Sequence, residues 1–363
     1  MTSIPGMPNR NTPRATGLEA SEGIVMKSLV RRLWILGVAV SLAATSATVA
    51  PAAAMAASTA KAAAQKPAAQ QSFDSPEAAV DALVAAGKSH DVNAMLAILG
   101  PGSRPLVDSG DAVADQEGFD NFIEHYDAAH ALTKDGDARV ILETGDEKFP
   151  FPIPIVKDGS GWRFDTAAGQ EEVIDRRIGR NELSAIQASL AYVDAQREYY
   201  RRNPDGAPLQ HYARRFLSSP DKRDGLYWPT PDGEPESPLG PGFAAARTEG
   251  YKKGQAGTPY PFHGYVFRIL DGQGPHAPGG AYSYVAKNHM LGGFGLIARP
   301  ATYDVSGVMT FIVNQEGAVY QKDLGPNTAG AAAAITRFDP DESWQPVSDQ
   351  DGAPMASVDG NPQ

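Results

Sequence analysis

Three histidines in the C-terminal half of the chain are the residues best suited to chemistry. His263, His276 and His289 each stand close to a glycine-containing turn. Histidine titrates near neutral pH and binds divalent metals, so a convergent set could act as a general base or hold a metal ion. Together with Tyr265 and Arg268, they define a candidate groove for a ligand. Histidines in turns more commonly serve hydrogen bonding or packing, and we therefore assign no catalytic, cofactor-binding or metal-binding residue.

Other patterns associated with chemistry fail on their spacing. His125 and His130 are five residues apart, about 140° around a helix, so they cannot share one zinc-binding face. The segment from Asp339 to Ser343 is similar to the start of a calcium loop, but Trp344 stands where such a loop needs glycine. No Gly-x-Ser-x-Gly elbow, phosphate-binding loop or dinucleotide motif follows a predicted strand. We expect no cofactor and no metal.

Composition narrows the class of protein. The 363 residues are enough for two ordinary domains and additional segments. The chain contains no cysteine, which excludes disulfides and thiolate metal sites. Its formal charge of −11 argues against a nucleic-acid partner, because binding to phosphates needs a basic face.

The N-terminus has the order of a secretory signal peptide. Met26 opens a basic segment that includes Lys27 and Arg31, and an apolar run from Leu33 to Ala44 follows. Small residues ending at Ala56 fit a cleavage site, and the apolar run is shorter than the roughly 20 residues of a membrane span. Met1 and Met26 both stay open as the start. We expect residues 1–56 to be an N-terminal extension with a signal peptide, residues 57–72 a linker, and the mature protein periplasmic or secreted, without a membrane span.

Residues 73–170 read as helices followed by strands. Ser75 and Pro76 start the first helix, a second carries the apolar residues from Val92 to Leu99, and a third runs from about Gln116 to His130. Two strands follow, Arg139 to Glu143 and Trp162 to Asp165.

The run Phe149 to Val156 lies between those two strands and has proline at every second position. Pro150, Pro152 and Pro154 remove the N–H donors along one side of a strand and leave the other side able to pair. The pattern predicts an edge strand.

A helix from Ile178 to Tyr200 is predicted to close this domain and open the next. Its apolar stripe is Leu183, Ile186, Leu190 and Val193, with Asn181 as its N-cap. Gly179 could separate it from a run that starts near Glu171. The stop is Asn203-Pro-Asp-Gly.

Residues 171–347 then continue as a second domain, and residues 348–363 as a disordered tail. After the long helix we predict a short helix from Leu209 to Leu217 and a turn-rich passage to Gly264. A β-meander follows, and its predicted strands are Tyr265 to Leu270, Tyr282 to Val285, Phe294 to Arg299, Met309 to Asn314 and Ala318 to Lys322. A small-residue helix is predicted near Thr328 to Thr336.

Several motifs carry a family resemblance over about Phe73 to Val347. They are Trp162-Arg-Phe-Asp-Thr-Ala-Ala-Gly, Arg177-Ile-Gly-Arg-Asn-Glu, Lys222-Arg-Asp-Gly-Leu-Tyr-Trp-Pro, Ala277-Pro-Gly-Gly-Ala-Tyr and Ser306-Gly-Val-Met-Thr-Phe-Ile-Val-Asn. This set resembles the bacterial exported family called domain of unknown function 2950, which implies no chemistry. The first half is also similar to the nuclear-transport-factor-2-like fold, and the second to the globular head of type IV pilin-like proteins, although a soluble domain stands where a pilin has its apolar stalk.

We therefore predict an α+β protein. N-terminal helices and a curved antiparallel sheet are followed by a long helix packed on a C-terminal antiparallel β-meander. The leading function is a non-catalytic envelope protein that binds another envelope protein or a small ligand through a groove between its halves. The alternative is a secreted hydrolase with its site in the second domain or in that groove, and a pilin-like assembly component is a third possibility.

Overall fold

The first half of the chain builds a layer of helices on an antiparallel sheet. The computed structural model describes residues 70–231, 233–242, 246, 249–251 and 261–347. The predicted signal peptide, nearly all of the linker and the C-terminal tail lie outside this range. Within it, no helix is long and apolar enough to cross a membrane.

In the described residues, four helices precede the first sheet: α1 (Pro76–Lys88), α2 (Val92–Leu99), α3 (Arg104–Val107) and α4 (Ala112–Ala128). The start of α1 is confirmed, since the Ser75 hydroxyl accepts a hydrogen bond from the Ala78 N–H and Pro76 occupies the first turn. The third predicted helix begins four residues earlier than expected, and it ends before His130, which opens a strand.

The first sheet contains β1 (His130–Lys134), β2 (Arg139–Thr144), β3 (Phe149–Pro150), β4 (Ile155–Asp158) and β5 (Gly161–Phe164). All pairings are antiparallel, in the order β1-β2-β4-β5, and β3 also pairs with β2. The sheet and the helices enclose a core that includes Leu83, Met95, Leu142, Ile155 and Phe164.

The predicted edge strand is correct only for its first residues, since β3 pairs with β2 alone among the described strands. Its C-terminal part, β4, lies between β2 and β5 and is an interior strand. The chain leaves the ladder around Pro152 and Pro154 instead, so the missing N–H groups lie in an irregular segment between β3 and β4. The Phe151 N–H still reaches the Leu142 carbonyl at 2.7 Å, as expected for the side able to pair.

A single helix of 37 residues, α5 (Thr166–Arg202), runs through both halves of the described chain. Gly179 does not break it, and the predicted N-cap at Asn181 is wrong. Asn181 lies inside the helix because its amide is used elsewhere, donating to the Ser306 carbonyl at 2.9 Å. The predicted stop is confirmed, with Asn203 in the left-handed region at φ 47°.

The predicted apolar stripe of α5 is correct for Ile186 and Val193, which are buried, whereas Leu190 is half-buried and Leu183 is 46% exposed. Val173 and Ile174, nearer the start of α5, pack on the first core. The predicted boundary between residues 170 and 171 therefore falls inside this helix, and the division into two domains stays a prediction.

The predicted helix from Leu209 to Leu217 is also wrong. Tyr212 forms an isolated β-bridge with Met290, and Leu217 forms one with Tyr227. Pairing with distant segments takes up the backbone groups that a helix would have used locally.

The second sheet confirms the α+β prediction. Its five strands are β6 (Tyr265–Leu270), β11 (Gly295–Pro300), β12 (Met309–Asn314), β13 (Val319–Asp323) and β14 (Gln345–Pro346), antiparallel in the order β14-β13-β12-β11-β6. Short strands form two separate pairs: β7 (Gly272–Gln273) with β8 (Tyr282–Ser283), and β9 (Val285–Ala286) with β10 (His289–Met290). The helix α5 packs against this sheet, and α6 (Thr328–Ala334) packs in a smaller core with Ile297, Ile312 and Trp344.

Candidate functional site

A cavity of about 360 Å³ lies beside the first core and reaches the loop before β6. Side chains from α1, α2, α3, α4, the β3–β4 segment and α5 line it. The apolar members are Leu83, Met95, Leu99, Leu106, Val107, Phe119, Phe122, Phe151, Ile153 and Val173. A concave site with this lining and a few polar groups is the usual form of a small-molecule site.

One face of α5 supplies a wall of the cavity. Val173, Arg177, Arg180, Asn181 and Ser184 all line it, and their spacing of four, seven, eight and eleven residues keeps them on one side of a helix. From Val173 to Ser184 the axis rises about 16 Å. The wall therefore changes from apolar at Val173 to polar at Ser184.

Arg177 is fixed by backbone carbonyls. Its guanidinium donates to the Pro105 carbonyl and to the Leu106 carbonyl, each at 2.5 Å, which ties α5 to α3. Burial lowers the pKa of Arg177, and the nearby Asp115 carboxylate acts in the opposite direction. This arginine is consequently a positioned part of the wall, with two of its nitrogens engaged.

Asp115, on α4, brings a partly desolvated carboxyl group to the cavity. Its Oδ2 accepts the Ser109 N–H at 2.8 Å. Burial raises the pKa of Asp115, and the hydrogen bonds from Ser109 and the charge of Arg177 oppose that shift only in part.

Two side chains of the α5 wall make no hydrogen bond or ion pair within the described chain. Neither Arg180 nor Ser184 has a hydrogen-bond or ion-pair partner among the residues that the structure describes. On α4, the carboxylate of Glu117 is likewise without a partner in the described chain. Asn181 differs, because its amide already binds the Ser306 carbonyl.

His263 stands at the polar end of the cavity. Its backbone is in the left-handed region at φ 46°, which is uncommon for a residue other than glycine. The ring lies 3.2 Å from the Glu249 carboxylate, measured from Nε2, and packs on Phe262. The backbone N–H of His263 donates to the Tyr251 hydroxyl at 3.0 Å.

A buried carboxylate holds this end of the cavity in place. Asp111 is 2% exposed and caps α4 by accepting the Ala114 N–H at 3.2 Å. Its other oxygen accepts the Tyr251 hydroxyl at 2.9 Å and the Gly264 N–H at 2.8 Å. The start of α4 is thus joined to the segment that carries His263.

The other residues of the predicted groove lie in different surroundings. Tyr265 is buried and donates its hydroxyl to the Met309 carbonyl at 2.8 Å. Arg268 donates to the Ala332 and Ile335 carbonyls at the end of α6. His276 pairs with Asp339 at 3.0 Å, and the His289 ring lies 4.6 Å from that of His211. Of the five predicted residues, His263 alone is among the described residues that line the cavity.

The described residues contain no set of three or more His, Cys, Asp or Glu side chains placed to hold a metal ion. Ser184, His263 and Asp115 share the cavity, but within the described chain no hydrogen bond joins any two of them. His263 is paired with Glu249, and Asp115 accepts from Ser109. The residue types of a nucleophile, a base and an acid are present without the connections of a triad.

Sequence reasoning overlooked Asp115, Arg177, Arg180 and Ser184. A signal for three of them was available, because Arg177, Arg180 and Ser184 share one helical face and two of them belong to the Arg177-Ile-Gly-Arg-Asn-Glu motif. Asp115 carried no comparable signal, since its burial depends on the packing of α3 and α5 beside it.

Comparison with known proteins gives a family without an assigned activity. No curated protein and no solved structure matches the chain. The model of one family, described as protein of unknown function (DUF2950), matches residues 70–347. This match spans all of the described residues, and the chain belongs to the DUF2950 family of proteins of unknown function.

Proposed function

We propose that this protein is a non-catalytic binding protein that holds a small, largely apolar molecule in the cavity between α4, α5 and the first sheet. The observation that carries the proposal is the cavity itself, about 360 Å³ with ten large apolar side chains and several polar ones in its lining. Transfer of an apolar group from water into such a lining is favourable by roughly 25 cal/mol per Å².

Enclosure favours a small molecule over a macromolecule as the ligand. The lining comes from five helices, the loop before β6 and the segment between β3 and β4, so a ligand is surrounded on several sides. The polar end includes His263, and in this proposal the cavity opens there, where the two predicted domains meet. The groove between the halves that the sequence predicted is, in this proposal, the polar end of that cavity.

A hydrolase is the second candidate function, and one observation favours it. Burial raises the pKa of Asp115, and a carboxyl with a raised pKa in a cavity is a candidate general acid or base. Ser184 and His263 line the same cavity. The ion-pair contact of His263 with Glu249 and the hydrogen bond from the Ser109 N–H to Asp115 favour the non-catalytic function.

Binding can be tested by filling the cavity. Val173→Trp places a large ring in the apolar part of the lining, and Val92→Trp makes the same change at an exposed position of α2 that is not among the lining residues. We expect the uncharged dye Nile red, and apolar metabolites retained in native mass spectra, to bind the wild type and Val92→Trp. Binding should be lost in Val173→Trp. Equal binding by both variants would exclude the cavity as the site.

A panel of ester and amide substrates separates the two candidate functions. The binding protein should turn over none of them. The hydrolase would be established instead if the wild type and Val92→Trp turned over a substrate and either Ser184→Ala or His263→Gln abolished that turnover.

We also propose that the protein is exported and acts in the periplasm or outside the cell. The proposal is supported by the basic segment, apolar run and small residues between Met26 and Ala56. Cell fractionation with N-terminal sequencing of the product tests it. We expect a chain that starts near residue 57 in the exported fraction, and a cytoplasmic product that retains Met1 would contradict export.

A further inference from the structure

The polarity of the α5 wall points to a particular class of ligand. Building on the binding function proposed above, we propose that the ligand is an amphiphile: its apolar chain occupies the cavity, and its anionic head group binds Arg180 at the polar end. The donors that would hold the head lie on the same helical face as the apolar residue that would contact the chain.

The direction of the ligand follows from the order of residues along α5. Val173 packs with the first core, and Arg180 and Ser184 lie about 11 and 16 Å farther along the axis. Along the same direction the wall changes from the apolar Val173 to the polar Arg180 and Ser184, and Arg180 is open to solvent. An extended molecule with an apolar end and a charged end matches this gradient, and a uniformly apolar molecule would leave the polar end unused.

The sign of the head group follows from which charges are already engaged. Arg177 donates to two carbonyls and lies near Asp115, and His263 is paired with Glu249. The donors of Arg177 and the ring of His263 are therefore already engaged by other groups of the chain. Arg180 is the cation of the α5 wall that has no partner in the described chain, and its guanidinium offers five N–H donors.

Neighbouring donors strengthen the preference for an anion. Ser184 is one turn beyond Arg180 and its hydroxyl is also free of partners within the described residues, while Arg177 adds positive charge one turn before. A carboxylate head can take two parallel hydrogen bonds from a guanidinium. Glu117, on α4, favours the opposite sign, so a cationic head is the alternative that the experiment must exclude.

The test compares three molecules with one chain and different heads: decanoate, 1-decanol and decylamine. Each is titrated below its micellar concentration, at pH 8, against the full chain by displacement of Nile red. The variants are Arg180→Gln, which removes the charge, Arg180→Lys, which keeps it, and Arg201→Gln, which removes an exposed arginine elsewhere on α5.

We expect decanoate to bind the wild type about fivefold more tightly than 1-decanol, the size of a favourable exposed charge pair. Arg180→Gln should remove that preference, whereas Arg180→Lys should retain most of it and Arg201→Gln all of it. Added salt should shrink the preference, because the head group lies near solvent.

Four results would overturn the inference. Equal affinity of decanoate and 1-decanol, or an unchanged preference in Arg180→Gln, would show that Arg180 does not select the head, and the binding function would stand. Tightest binding of decylamine would assign the selection to Glu117. If none of the three binds and Val173→Trp changes nothing, the binding function itself fails and this inference fails with it.

Discussion

Asp111 is the position at which one substitution should remove a connection between the two halves of the described chain. The carboxylate is buried, caps α4, and accepts hydrogen bonds from the Tyr251 hydroxyl and the Gly264 N–H. Asp111→Ala removes all three contacts at once. The segment that carries His263 then loses its connection to the start of α4.

The size of the effect follows from the groups left behind. Loss of an aspartate N-cap costs about 1 kcal/mol. Each buried donor that is left without an acceptor costs about 1–3 kcal/mol more, and this substitution leaves a hydroxyl and an N–H. We therefore expect Asp111→Ala to lower the free energy of unfolding by about 3–7 kcal/mol in urea denaturation.

Asp91→Ala is a matched control within the same half. Asp91 also caps a helix, accepting the Ala94 N–H at 3.0 Å, but it is exposed and its side chain bonds to no distant segment of the described chain. Its loss should cost about 1 kcal/mol. The difference between the two variants isolates the connection to Tyr251 and Gly264.

The reasoning would be refuted if the two variants had the same stability within about 0.5 kcal/mol. A double-mutant cycle adds an independent test, because Asp111→Ala and Tyr251→Phe share a contact and their effects should not add. Asp111→Ala should also weaken Nile red binding several-fold, since His263 lies at the polar end of the cavity and its N–H bonds to Tyr251.

Three other predictions concern α4 and α5. Gly179→Ala should stabilise the protein by about 1 kcal/mol, because its added methyl group meets open space. Gly169→Ala should destabilise it by about 1–3 kcal/mol, because that methyl group would lie 2.2 Å from the Pro152 carbonyl oxygen; urea denaturation measures both variants, and equal effects would contradict the packing. Because burial raises the pKa of Asp115, the folded chain binds the proton of this carboxyl more tightly than the unfolded chain does. The free energy of unfolding of Asp115→Asn, relative to wild type, should therefore rise as the pH increases above the ordinary aspartate pKa of 3.8. A difference that does not change with pH would refute this. Leu190→Ala should cost about 1–2 kcal/mol, less than the roughly 2–5 kcal/mol of a fully buried leucine, and a loss below about 0.5 kcal/mol would show that its side chain contributes little to the core.

Local signals in the sequence were sufficient for much of the second sheet. The bounds of β6 and β12 match the predicted Tyr265 to Leu270 and Met309 to Asn314. Both strands are rich in β-branched and aromatic residues and end near glycine or polar turns, so their local preference and their tertiary environment agree. The first turn of α1 is similar, because Ser75 and Pro76 act within a few residues of chain.

The sequence-based predictions failed where a polar group pairs with a distant segment of the chain and not with its own neighbours. Asn181 has the chemistry of a helix cap, yet its amide binds the Ser306 carbonyl 125 residues away and the helix continues past it. The segment from Leu209 to Leu217 has an acceptable helical pattern, yet Tyr212 pairs with Met290. Neither partner can be identified from one sequence, since the pairing becomes apparent only when the sheet is assembled. The nuclear-transport-factor-2-like and pilin-like resemblances stay predictions for a related reason, as each concerns the arrangement of elements in space.

The candidate site shows the same division between local and distant information. The three histidines were grouped because each adjoins a turn, but turns of similar composition lie at different places on the fold, and His276 and His289 have Asp339 and His211 as their neighbours. The α5 wall was readable in principle, because helical spacing alone places Arg177, Arg180 and Ser184 on one face. What the spacing could not supply is the apolar lining opposite that face, which comes from α1, α2 and α4. The sequence of α5 is therefore enough to show that the helix is amphipathic. It does not explain why Arg180 stands at the polar end of the wall, because that depends on the cavity that folding creates beside the helix.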